Sequence, residues 1–190
     1  MNEENKRAAK LTIILGTNGT GKTTILKRII KASNDSRVLI ITPDYAEWTE
    51  YPENELKGKD DFLFTGVMRH IYDGSKFGTL QKLVYLKKCT IVFDDCRAYL
   101  KSSTAEEIHK LIIRRRQRET DIFAVGHGFT EVPPKFFTFA SDLFLFRTTD
   151  NIARRKDCLK DFDRMKEAQE RVNKKANTVN AHYFEYIKFN

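Results

Sequence analysis

The sequence predicts an α/β domain of three layers, a largely parallel central sheet with helices on both faces. Three observations carry that prediction. Short apolar runs of strand length recur along the chain, with helix-length stretches between them. Their hydrophobicity is continuous rather than alternating, the mark of strands covered on both faces. The first run stops at a glycine-rich loop that leads straight into a helix.

Taken in order, Leu11 to Leu15 is the first strand, and residues 16 to 24 read GTNGTGKTT before the helical stretch ILKRIIKA. Ser33 to Ser36 is a polar loop, and Val38 to Thr42 (VLIIT) is a second strand ended by Pro43. Residues 43 to 61 hold two prolines and many carboxylates and read as a surface excursion, either one that approaches a nucleotide or a neighbouring subunit or a plain solvated loop that Trp48 pins. Residues 62 to 72 (FLFTGVMRHIY) fit a short strand or a helix start equally well. Gly74 and Gly78 bracket a turn before a helix over Thr79 to Lys87, and Cys89 to Phe93 is the third strand. Ser102, Ser103 and Thr104 precede Glu106 and Glu107 at capping-box spacing and open a helix with Ile108, Leu111 and Ile112 on one face. The fourth strand is Ile122 to Val125. A proline-led short helix follows, then a strand over Leu143 to Phe146. Leu159, Phe162, Met165 and Val172 give residues 157 to 176 an amphipathic helical face, and HYFEYIKF ends the chain as a strand added to the sheet.

Composition bounds the function. A chain of 190 residues suits one domain, here 1–190, with a core over about 10–152 and a C-terminal helix and strand over about 153–190. Three cysteines, Cys89, Cys96 and Cys158, form no C-x-x-C pair and read as reduced thiols in a cytoplasmic setting. The apolar run after the first ten residues falls far short of the ~20 residues that span a bilayer, so neither a signal peptide nor a membrane segment is expected. The net charge of +8 favours a polyanionic partner and is equally compatible with a solvated basic surface.

The loop carries the firmest chemistry. GTNGTGKT fits G-x-x-x-x-G-K-[ST] in the required order of strand, loop and helix. Glycines let backbone N–H groups converge on phosphate oxygens, and the positive end of the following helix points at the same anion. Gly16, Thr17, Asn18, Gly19, Thr20, Gly21, Lys22, Thr23 and Thr24 are the nucleotide-binding candidates, with ATP as cofactor. Lys22 reaches the β and γ phosphates, and the Thr23 hydroxyl ligates Mg²⁺.

The third strand ends in adjacent aspartates, TIVFDDCR. An aspartate at the end of such a strand holds the Mg²⁺ shell, which assigns Asp94 to the metal. An acidic residue directly after it can orient and deprotonate water, which assigns Asp95 to catalysis. A plain polar turn is the alternative for Asp95. Arg114, Arg115, Arg116 and Arg118 cluster at a helix end, as a solvated basic face or as arginines offered to a neighbouring subunit's nucleotide or to DNA phosphate. His127, between Gly126 and Gly128 at the tip of the fourth strand, is placed to contact the γ phosphate, and its flanking glycines would leave the surroundings open. His70, His109 and His182 read as structural.

Together GTNGTGKTT, IVFDD, the arginine cluster before DIFAVGH, and HGFTEVPP followed by SDLFLFRTTDN resemble the FtsK–HerA superfamily of P-loop motor ATPases. The resemblance is to the compact viral DNA-packaging ATPases in particular, and runs over roughly residues 10 to 152. It implies a RecA-like P-loop NTPase fold of the ASCE class and an ATPase that moves double-stranded DNA from within a hexameric ring. A capsid-like or portal-like partner and a place in the host cytoplasm would follow for a viral protein. It also implies that His127 is the sensor, where the family commonly has glutamine. Asp95 stands where glutamate is usual, one methylene shorter. Arg116 best matches the spacing of the arginine finger acting in trans, with Arg115 and Arg118 as alternatives. Two rival functions use the same loop: a nucleotide or small-molecule kinase, and a Zot-like assembly ATPase that uses nucleotide to order a complex.

Overall fold

The structure is a computed structural model that describes residues 8–33, 37–58, 60–72, 77–99 and 102–189. Seven strands form one sheet: β1 (Leu11–Leu15), β2 (Arg37–Thr42), β3 (Gly66–Ile71), β4 (Cys89–Phe93), β5 (Thr120–Gly126), β6 (Asp142–Phe146) and β7 (Phe184–Lys188). Their order across the sheet is β3-β2-β4-β5-β1-β6-β7. All neighbours are parallel except β7, which returns antiparallel along β6 with Leu143 opposite Ile187.

Alternate residues of each central strand face opposite layers, and both layers are dry. From β1, Leu11, Ile13 and Leu15 enter one core while Ile14 enters the other, and Leu39 and Ile41 divide from Val38 and Ile40 in the same way along β2. Each fully buried side chain of this size contributes roughly 1.5–3 kcal/mol relative to exposure, so runs such as LTIIL and RVLIIT are stable only between two covering layers.

The coverings are unequal. Helix α1 (Lys22–Ala32) lies on one face, burying Leu26 and Ile30, with Trp48 from the 43–58 excursion beside it. The other face carries α2 (Phe77–Lys82), α3 (Ser102–Arg118), α4 (Pro134–Phe139) and α5 (Phe162–Thr178), whose Leu80, Leu111, Phe136 and Met165 share one cluster.

Several expected elements move. Residues 62 to 72 resolve into β3, an edge strand parallel to β2. The helix expected over Thr79 to Lys87 ends at Lys82 and tightens into a 3₁₀ turn over Leu83–Tyr85. The tighter turn aligns positions three apart, so Leu83 and Leu86 both face the core while Lys87 stays out. Helix α5 starts at Phe162 rather than near 157, because Asp161 takes a left-handed φ of 54° just before it. Leu159 is buried ahead of the helix, not on it. Residues 34 to 36 of the polar loop, Gly74, and the capping-box side chains at 102 to 104 lie outside the described residues. Among the described residues no helix is long and apolar enough to cross a membrane.

Candidate active site

The carboxyl ends of β1, β4 and β5 meet around a cavity of about 200 Å³. It is lined by Asn18, Lys22 and Thr23 from the loop, Asp94 and Asp95 from the end of β4, and Gly126 and His127 from the end of β5. Thr42, Pro43, Asp44 and Glu47 close one side. The residues singled out in the sequence at Lys22, Thr23, Asp94, Asp95 and His127 thus converge from separate segments.

The loop owes its shape to a few contacts. Gly19 and Gly21 take φ of 74° and 103°, conformations a side chain would strain. A Cβ on Gly16 would lie 2.6 Å from both Phe146 Cβ and Thr20 Oγ1. Gly16 N–H donates to the Gly126 carbonyl (3.1 Å) and Thr17 N–H to that of Arg147 (2.8 Å), which ties the loop to β5 and to the end of β6. Helix α1 has no acidic residue in its first turn, so its positive end is left for an anion. Lys22 Nζ bonds back to the carbonyls of Gly16 (2.6 Å) and Thr17 (3.1 Å). Burial lowers its pKa, opposed by the charges of Asp94, Asp95 and Glu131.

Asp94 leaves β4 with its N–H still bonded to the Ile41 carbonyl at 2.9 Å. Its Oδ2 accepts the indole N–H of Trp48 at 2.6 Å. Burial raises its pKa, and the Trp48 bond opposes that rise. Glu47 and Asp95 add to it, and Lys22 pulls it back. Trp48 is 2% exposed with a left-handed φ of 58°, stacks on Tyr51, and lies under Lys27, which pairs with Glu50 at 2.5 Å. The expected pin therefore has a second contact, the carboxylate of Asp94, 46 residues away.

Asp95 turns the chain with a φ of 54°, a region that aspartate tolerates better than most residues. Among the described residues its Oδ1 is buried without a hydrogen-bond partner. An unpaired buried carboxylate oxygen beside a cavity is costly unless something enters to use it. Cys96, next along, is buried with its thiol pushed up by burial and by both aspartates, which agrees with an inert structural role.

His127 directly follows β5, the strand adjacent to β1, and its N–H donates to Glu131 Oε2 at 3.2 Å. The flanking glycines do not leave it open, contrary to the sequence expectation. A Cβ on Gly126 would strike Val132 Cγ2 at 2.7 Å, and one on Gly128 the Asp150 carboxyl at 2.5 Å. Close packing is what requires glycine at both positions.

The arginines separate. Arg115 is buried and donates to the carbonyls of Ile112 (2.8 Å) and Phe139 (3.2 Å), which removes it as a finger and makes it a clamp between α3 and α4. Arg116 is exposed at the opposite end of β5 from His127, roughly 20 Å along the strand, and is not among the residues that line its own chain's cavity.

The sequence reading missed a polar stripe on α5. Gln169, Asn173 and Asn177, four residues apart, bond respectively to Thr148 Oγ1 (2.7 Å), the Thr148 carbonyl (2.8 Å) and Arg147 (3.2 Å). They grip the segment whose Arg147 carbonyl holds Thr17. The spacing of amides within a charged helix was the available signal.

Among solved structures, the genome packaging NTPase B204 of Sulfolobus turreted icosahedral virus 2, in complex with sulfate, superposes with a TM-score of 0.73 at 14% identity. The alignment covers 97% of this chain and 93% of that one. Its complex with ATP-gammaS gives 0.69 at 14% identity, covering 98% and 94%. B204 of Sulfolobus Turreted Icosahedral Virus, a DNA-packaging ATPase, also gives 0.69, at 16% identity, covering 94% and 97%. The fold is that of a P-loop NTPase. A family profile for the CobW/HypB/UreG nucleotide-binding domain matches residues 10–93, from just before β1 to the end of β4. That match takes in the phosphate loop of the P-loop NTPase fold and stops at Phe93, short of both aspartates. Comparison with curated protein sequences returns no match.

Proposed function

We propose that this chain is an ATPase motor subunit that hydrolyses ATP to move double-stranded DNA, working in a hexameric ring. The observation that carries the reading is the meeting of Lys22, Thr23, Asp94, Asp95 and His127 on one cavity, with β5 between the strands that bear the loop and the aspartates. A kinase hands phosphate to its own substrate and needs no group that activates water, the task this reading gives to Asp95.

In this reading the loop N–H groups and Lys22 hold the triphosphate, Asn18 lines the cavity beside it, and Thr20 keeps the loop in its binding shape. The Thr20 hydroxyl supports this by donating to the Thr17 carbonyl at 2.8 Å. Asp95 accepts a proton from a water that attacks the γ phosphorus, the bond to the β-phosphate oxygen breaks, and ADP leaves with phosphate. His127 contacts the γ phosphate and reports its loss through Glu131. Among the described residues no three His, Cys, Asp or Glu side chains form a metal cage. The cavity-lining oxygens of Thr23 and Asp94 suit Mg²⁺, which keeps most of its water and takes one or two protein oxygens. The Thr23 hydroxyl and Asp94 carboxylate are the oxygens that would hold it, and the ion would neutralise charge on the β and γ phosphates. Arg116, far from its own cavity and exposed, would complete a neighbour's site.

The test is ATP hydrolysis with and without double-stranded DNA, on wild type and Asp95→Asn, with particle mass measured in parallel. DNA-stimulated hydrolysis by a ring, lost in Asp95→Asn while ATP binding persists, is the expected result. Hydrolysis indifferent to DNA and to Asp95, or an inert monomer, refutes the motor reading.

A further inference from the structure

A second cavity, of about 340 Å³, opens on the other side of the phosphate loop. Gly21 and Thr24 line it, whereas Lys22 and Thr23, between them in sequence, line the first. The first turn of α1 therefore stands between two chambers of opposite character. The first holds Asp94 and Asp95. Among the described residues no carboxylate lines the second, which presents Phe146, Phe184 and His182 together with Arg28 and Asn180.

This chamber exists because α1 covers only part of its sheet face. Beyond it Phe144 and Phe184 stay half-buried and Tyr186 exposed, while Phe146 and Phe184 sit 4.9 Å apart between ring centroids. His182 Nδ1 lies 3.5 Å from where a Cβ on Gly21 would stand, so the imidazole roofs the last glycine of the loop. Its backbone is held there, since His182 N–H donates to Asn180 Oδ1 at 2.9 Å and Asn180 N–H to the Lys175 carbonyl at 3.2 Å.

A flat heteroaromatic ring joined to phosphates matches this arrangement. Aromatic faces stack on any base, a guanidinium adds cation–π attraction, and an amide can pair with a base edge. The phosphates, bound by N–H groups of α1's first turn, would cross that turn from one chamber to the other. We propose that the second chamber receives the purine base of the nucleotide, with His182 stacked on it. The proposal rests on the reading of the first chamber as the triphosphate site. His182, which the sequence presents as an ordinary structural histidine, becomes a base-stacking residue.

The experiment compares the affinities of ATP and of inorganic tripolyphosphate for wild type, His182→Ala and His182→Phe by calorimetry. His182 is exposed, so neither substitution threatens the fold. The expected result is a loss on the order of 10-fold for ATP in His182→Ala, with tripolyphosphate unchanged and ATP affinity recovered in His182→Phe. Equal ATP affinity in wild type and His182→Ala overturns the base chamber and leaves the triphosphate site standing. A parallel loss of tripolyphosphate also overturns it, because the histidine would then act on the phosphate loop. Failure of wild type to bind either ligand overturns the triphosphate reading and the base chamber with it.

Discussion

Replacing Trp48 with phenylalanine removes one N–H group and keeps an aromatic ring. In the wild type that N–H is 2.6 Å from Asp94 Oδ2, which leaves Oδ1 for the cavity that Asp94 lines. A hydrogen bond to a charged group contributes roughly 1.5–3 kcal/mol. Asp94 is only half-buried, so water recovers part of the bond, and about 1.5 kcal/mol of folding stability is expected to go. On the proposed reading, in which Asp94 holds Mg²⁺, the larger effect concerns the metal. Loss of a residue that orients a metal ligand weakens the metal roughly 10- to 100-fold. The assay is therefore nucleotide binding titrated with Mg²⁺, followed by calorimetry because Trp48 is the protein's single tryptophan. Tyr51→Leu, which disturbs the ring stacked on Trp48 without touching Asp94, serves as the packing control and should lower the melting temperature alone. A pH dependence is expected too. The Trp48 bond holds the Asp94 pKa down against burial, so its loss lets the pKa rise and moves the acid limb of Mg²⁺-dependent binding to higher pH. A Mg²⁺ midpoint in Trp48→Phe equal to that of wild type would refute the positioning argument.

Gly16→Ala drives a methyl group into Phe146 and Thr20, so a destabilisation of roughly 1–3 kcal/mol and loss of ATP binding are expected in denaturant melts and calorimetry. Tyr186 donates to Asp142 at 2.6 Å, and that bond pushes its phenol up to about 12 from an ordinary 10.0. The stability it adds is complete below the unfolded value and is lost as pH rises through the folded one. The gap in denaturation midpoint between wild type and Tyr186→Phe should therefore close between these two values. Arg116→Ala and Lys22→Ala subunits, each inactive alone, should restore ATP hydrolysis when mixed, and failure to do so would refute a site shared between chains.

The sequence was most legible where local signals agree. Leu11–Leu15 and Cys89–Phe93 are continuous apolar runs closed by glycine or by aspartate, and both are strands with the expected ends. Residues 62 to 72 were ambiguous because an edge strand is packed on one side only. Met68 and Arg69 are half-buried, which blurs the periodicity. Other failures came from long-range contact. Nothing near Trp48 announces Asp94, and nothing near Arg115 announces the carbonyl of Phe139 on another helix. The glycines around His127 were legible as a need for no side chain, but not as to what fills the space. Val132 is close in sequence, whereas Asp150 arrives from beyond β6.

The register of β1 also bears on how the protein is made. Leu11 pairs with Ile122, and Thr12 with Asp142, so both flanks of the strand carrying the phosphate loop are supplied by segments synthesised more than a hundred residues later. On a ribosome the loop would emerge early and wait for its neighbours, an apolar strand with both edges unpaired. Contacts this distant in sequence make assembly slow and expose the nascent chain to aggregation or chaperone capture. Nucleotide capture should then appear abruptly once β6 has cleared the exit tunnel, and serves as a sign that β1 has both its neighbours.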